Sequence, residues 1–127
     1  MPTFKQGDVV KVPFPYTDRS TRQSRPALVV STGAIEDEHG LLWVAMITSA
    51  ENRVWPGDVA VHDIGAAGLP VPSLIRTAKI ATIEATDAHR LGRISALLLN
   101  RVTRNLAKEF GFVPTGATKR TSGRGPT

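Results

Sequence analysis

Near residue 95 the apolar residues of this chain change period, and that change restricts the fold more than any other feature. Before it they come in short extended runs; from Ser95 to Phe110, Leu99, Val102, Leu106 and Phe110 recur at helical spacing beside Leu98. Gly7-Asp8 opens a first strand, Val9 to Phe14, in which Val10, Val12 and Phe14 alternate with Val9, Lys11 and Pro13. Pro13 marks an edge or a bulge near its end. Pro26 to Ser31 and Leu41 to Thr48 are continuous apolar runs, the pattern of strands buried on both faces. Thr32 to Gly40 reads as a polar connection containing Glu36-Asp37-Glu38, and Pro56-Gly57 as a turn ahead of a short strand around Val59 and Val61. Ser73 to Glu84 is a long strand whose large apolar residues switch parity between Ile75, Ile80 and Ile83, which predicts a bend or bulge. Leu91 to Ile94 gives one last short strand, Ser95 an N-cap and Gly111 a helix stop.

Five or six strands followed by one helix in about 110 residues predict a mainly β fold with α: a small, mostly antiparallel barrel or strongly bent sheet carrying a C-terminal helix. Strands first and a helix last argue against a parallel α/β fold. The 127 residues suit one domain over residues 1–111, with 112–127 as a basic tail too poor in apolar residues to order itself. Without cysteine there is no disulfide framework and no thiolate chemistry. No apolar run is long enough for a membrane span and the N-terminus lacks a signal-peptide core, so a cytoplasmic protein without a membrane partner is expected.

The formal charge is +5, which invites a polyanionic partner. Lys119, Arg120 and Arg124 lie in the tail, however, and leave 13 basic against 11 acidic side chains before it. A phosphate-binding surface must therefore come from local clustering. Arg19, Arg22 and Arg25 provide one cluster, in the loop leading into the Pro26 strand. His39, His62 and His89 have no metal-ligand spacing, and no metal or cofactor is expected. There is no Gly-rich phosphate loop and no nucleophile elbow. What remains is an arginine with hydroxyls. If the Pro26 and Leu41 strands pair antiparallel, Arg25 and Thr48-Ser49 meet at one rim of the sheet. A guanidinium beside hydroxyl donors suits a phosphate and the extra charge of its pentacoordinate transition state. The competing assignment pairs Arg25 with Asp8 or Asp18 and leaves Thr48 merely ending a strand.

Gly7-Asp8-Val9-Val10, Phe14-Pro15, Thr17-Asp18 and Ser24-Arg25-Pro26-Ala27-Leu28-Val29-Val30-Ser31 together resemble the opening of the MazF/PemK (Kid) toxins of bacterial toxin–antitoxin pairs. Ile47-Thr48-Ser49, Gly57-Asp58-Val59, Ala67-Gly68-Leu69, Pro72-Ser73 with Arg76, Lys79-Ile80 and Leu91-Gly92-Arg93-Ile94-Ser95 continue the resemblance in order over residues 6–110. It implies an SH3-like β-barrel, a homodimer, a cognate antitoxin as partner, and metal-independent cleavage of single-stranded mRNA to 2′,3′-cyclic phosphate and 5′-hydroxyl ends. Carried onto this chain, the family's catalytic arginine falls on Arg25 and its hydroxyls on Thr48 and Ser49, with Arg19, Arg22, Gln23, Arg53, Arg76 and Lys79 as RNA contacts.

Two positions depart from the Kid-like pattern: Ala78 stands where those members carry an acid, and Arg19 where they carry a histidine. An arginine does not deprotonate in a protein, so Arg25 is a phosphate-binding group and the base is sought at Asp18, Glu84 or water. The same departures keep open a second reading, a non-catalytic RNA- or protein-binding member of the fold. The gyrase poisons of related fold use a C-terminal tryptophan, and this chain has none after Trp55.

Overall fold

A computed structural model describes residues 2–14 and 23–112. Most of the arginine-rich loop, and the tail from residue 113 onward, lie outside the described residues. Six antiparallel strands form one sheet in the order β4-β5-β3-β2-β1-β6, built from β1 (Asp8–Phe14), β2 (Gln23–Val29), β3 (Leu41–Ser49), β4 (Val59–Val61), β5 (Ser73–Glu84) and β6 (His89–Arg93). The sheet curls into a half-barrel, which brings β1 against β5 although two strands separate them. Both faces are therefore covered. Val10, Val12, Ala27, Val44 and Met46 belong to one apolar core; Val9, Leu28, Ala45 and Ile47 belong to the other, under the terminal helix α3 (Ala96–Glu109). That is why the β2 and β3 runs are apolar at consecutive positions.

The parity switch in β5 is a bulge. Ala45 pairs with Ile80 but Met46 with Arg76, which leaves Thr77, Ala78 and Lys79 unmatched on β5. Pro13 pairs with Ser24 beyond the reach of β6, so its missing N–H interrupts no ladder on that side. In α3, Ser95 Oγ accepts from Leu98 N at 3.1 Å, and Val102 is fully buried between the partly buried Leu98, Leu99 and Leu106. The helix closes on Gly111 at φ 84°, with Gly111 N bonded to Lys108 O and Phe112 N to Ala107 O. Phe110 does not complete the buried stripe; it is 68% exposed.

The polar connection expected at Thr32–Gly40 is instead a helix, α1 (Gly33–His39). It buries no residue, so no apolar period announces it. Tertiary bonds hold it: the Glu36 carboxylate accepts from Thr3 N at 2.9 Å and Phe4 N at 3.0 Å, and Gly40 N caps onto Glu36 O. Between β4 and β5 a four-residue helix, α2 (Ile64–Ala67), packs on β6 through two glycines. A Cβ on Gly68 would lie 2.1 Å from Leu91 O, and one on Gly92 2.4 Å from Ala66 O. No helix among the described residues is long and apolar enough to cross a membrane.

Partial burial pushes the Glu36 carboxyl up, but the Phe4 and Thr3 donors outweigh it and hold the group below its usual 4.5. A depressed folded pKa contributes stability above the unfolded value and loses it as pH falls through the folded one. Glu36→Gln should therefore melt lower than the parent near neutral pH, and the difference should shrink as the pH of a melting series falls below the usual carboxylate range. Gly92→Ala should cost about 2 kcal/mol in urea denaturation, because the obstructing atoms are α2 backbone that cannot rotate aside.

Candidate functional site

The antiparallel register of β2 with β3 runs Ala27 to Met46, Leu28 to Ala45 and Val29 to Val44. Carried two residues further, it sets Arg25 against Thr48, which itself pairs with Leu74 of β5. Arg25 also pairs with Val12 of β1. Alternation along each strand then places Arg25, Thr48 and Arg76 on one face, the face of Ala27 and Met46. Arg25 is half-buried and Thr48 is buried. Asn52 Nδ2 donates to Thr48 Oγ1 at 2.7 Å, which occupies an acceptor position and leaves the hydroxyl hydrogen to be donated. Ser49 Oγ accepts from Glu51 N at 3.2 Å in the same way. On this face the rim offers a permanent cation and one hydroxyl donor, a set suited to a phosphate, while alternation turns Ser49 to the other face.

Asp8, one of the two partners the competing assignment offered Arg25, is engaged elsewhere. Its buried carboxylate receives Arg93 Nη1 at 2.6 Å and Arg90 Nη2 at 2.9 Å from β6. Glu84 pairs with Leu41, at the opposite end of β3 from Thr48 and roughly 23 Å away, too far to serve as a base there. Asp18, Arg19 and Arg22 lie outside the described residues; Gln23 pairs with Phe14 through its backbone, and its side chain lies outside the description.

Arg76 is placed differently from the other expected RNA contacts. It is 7% exposed, and its guanidinium meets the fully buried Asp58 carboxylate, Nε at 3.3 Å and Nη2 at 3.2 Å from Oδ2. Nη2 also donates to the Arg53 carbonyl, and the Arg76 guanidinium stacks 4.1 Å from the centre of the Trp55 ring. Asp58 holds the turn before it as well, accepting from Trp55 N at 2.8 Å. Arg53 is exposed on this loop, and Lys79 is half-buried within the β5 bulge. Gly57 O accepts from Thr77 Oγ1 and from Asn105 Nδ2 of α3, both at 2.9 Å. The loop from residue 50 to 57 is therefore pinned beside the rim by Thr48, Arg76, Asp58, Thr77 and Asn105. Asn52, Trp55, Asp58 and Asn105 were not among the sequence candidates; the Pro56-Gly57 turn, the Gly57-Asp58-Val59 resemblance and the candidate Arg53 pointed at the region. Among the described residues, no three of His, Cys, Asp and Glu stand close enough to hold a metal ion.

The fold is a small β protein, a curled antiparallel sheet with a C-terminal helix, whose rim carries an arginine and a hydroxyl at the ends of its central strands. The chain belongs to the family of PemK-like, MazF-like toxins of type II toxin–antitoxin systems, whose profile matches residues 5–110. It is similar in structure to MazF from Deinococcus radiodurans (TM-score 0.69, 24% identity, covering 85% of this chain and 96% of that one). A MazE–MazF complex from the same organism matches with TM-score 0.65 and 25% identity, over 85% of this chain and 96% of that one. An endoribonuclease in complex with its cognate antitoxin, from a mycobacterial species, matches with TM-score 0.67 and 19% identity, over 89% and 98% respectively. No curated protein matches the chain.

Removing a buried charge from its partner strands the other, which costs about 3–5 kcal/mol. Arg76→Ala should lose that much in chemical denaturation and Arg25→Ala clearly less, since Arg25 is half-buried and Asp58 keeps its partner. Combining Arg76→Met with Asp58→Leu should recover part of the loss.

Proposed function

We propose that this protein is the toxin of a type II toxin–antitoxin pair and that it cleaves single-stranded mRNA without a metal ion. The 2′-hydroxyl attacks the adjacent phosphorus, a 2′-O–P bond forms, and the P–O5′ bond breaks. The products are a 2′,3′-cyclic phosphate and a 5′-hydroxyl; the proton lost at O2′ is balanced by one gained at O5′. Arg25 binds the nonbridging oxygens and neutralises the charge that grows on them, and Thr48 donates to the same oxygens. Ser49, which alternation turns to the other face, is proposed only to hold the loop through Glu51 N. Arg25 stays protonated throughout and is not the base.

The observation that carries this reading is the β2–β3 register, Ala27 to Met46, whose continuation by two residues would bring Arg25 level with Thr48 on one face of the sheet. Membership of the toxin family and likeness to an endoribonuclease support it. Arg19, Arg22, Gln23, Arg53 and Lys79 are the proposed contacts along the RNA, and Arg76 acts from beneath the surface. The partners are a cognate antitoxin, of the kind that accompanies the Deinococcus and mycobacterial proteins in their complexes, and a second copy of the chain.

Purified protein incubated with a long single-stranded RNA in EDTA should give discrete fragments with cyclic-phosphate ends. Arg25→Ala should slow cutting by about 10²–10³ while the protein keeps its fold by circular dichroism. Intact RNA, or equal cutting by the variant, would overturn the proposal.

A further inference from the structure

We propose that Trp55 is the platform on which one base of the bound RNA stacks, with Arg76 and Asp58 as positioning residues that hold its ring; this rests on the reading of the chain as an RNA-cutting toxin. Trp55 belongs to neither apolar core and is half-buried on the loop that follows Thr48. One pair of side chains fixes it twice: Asp58 Oδ2 receives its backbone N–H at 2.8 Å, and the Arg76 guanidinium stacks 4.1 Å from its ring centre. The donors of Arg76 that meet Asp58 and the Arg53 carbonyl face protein, which makes this arginine a support for the loop.

The support is costly, which argues that it is kept for geometry. Asp58 Oδ1 is buried without a hydrogen-bond partner among the described residues, and an incompletely satisfied buried ion pair adds little net stability. Register carries Asp58 opposite Arg76, and Arg76 opposite Met46, on the face that also bears Arg25 and Thr48. The ring is thus held in place before RNA arrives, beside the proposed phosphate site. Single-stranded RNA is read largely by stacking unpaired bases on aromatic rings, and a preorganised ring gives up little entropy when it does so.

The test uses an oligonucleotide spanning a site the wild-type protein cuts, made uncleavable by 2′-deoxy substitution, with binding followed by fluorescence anisotropy. Trp55→Leu should weaken binding by about tenfold or more, and Trp55→Phe should stay within about threefold of wild type. Removing the stacked base, by an abasic substitution at one position, should weaken wild type by a similar factor and leave Trp55→Leu no weaker than before. Binding by Trp55→Leu within about twofold of wild type would overturn the assignment. Equal losses by Trp55→Leu on the intact oligonucleotide and on every abasic one would overturn it too, because a merely structural role predicts that pattern. If wild type cuts and binds normally while Trp55→Leu is unaffected, only the platform fails. If wild type neither cuts nor binds any RNA, the ribonuclease reading fails and the platform with it.

Discussion

One register across β2, β3 and β5 decides what this protein can do. With Ala27 opposite Met46 and Met46 opposite Arg76, alternate residues bring Arg25, Thr48 and Arg76 to one face and Leu28, Ala45, Ile47 and Ile75 to the other. A slip of one residue would exchange the two sets, sending charge into the core under α3 and apolar side chains to the rim. Both faces of these strands are buried over most of their length, so the packing of two cores holds the register from both sides. The bulge at Thr77–Lys79 lets one long strand serve the rim at its start and the first core at its end, where Ile83 pairs with Leu42.

The same local device secures the sheet twice. Gly7-Asp8-Val9 and Gly57-Asp58-Val59 each place a glycine at positive φ, 96° and 89°, immediately before an aspartate. Each aspartate accepts from the backbone N–H three residues earlier, Lys5 or Trp55, and its own N–H returns to that residue's carbonyl. Each buried carboxylate then takes arginine from the neighbouring strand: Arg90 and Arg93 of β6 in one case, Arg76 of β5 in the other. At Asp8 this pins β6 to β1. At Asp58 it pins the rim loop, so a structural motif also shapes the proposed site.

Much of the fold was legible because burial writes itself into period. The alternation in β1, the continuous runs of β2 and β3, the parity break in β5 and the 3.6-residue stripe of α3 are each the imprint of a covered face. Helix α1 left no imprint because it buries nothing and is held by Glu36 bonds to a segment more than thirty residues away. Phe110 fits the helical stripe but is 68% exposed, so its period alone overstated its burial. Within the site, Arg25 and Thr48 could be paired from sequence because antiparallel strands match the start of one with the end of the next.

By itself the sequence determined the strand-then-helix architecture and the bulge in β5, since both follow from residue spacing and local backbone preference. Only the tertiary structure decided that Arg76 turns inward to Asp58, that Asp8 belongs to β6 and that Trp55 rests on a guanidinium. An arginine's type and position are the same whether its donors meet a ligand or a buried carboxylate. The choice is made by which strands become neighbours, and that is set by long-range packing.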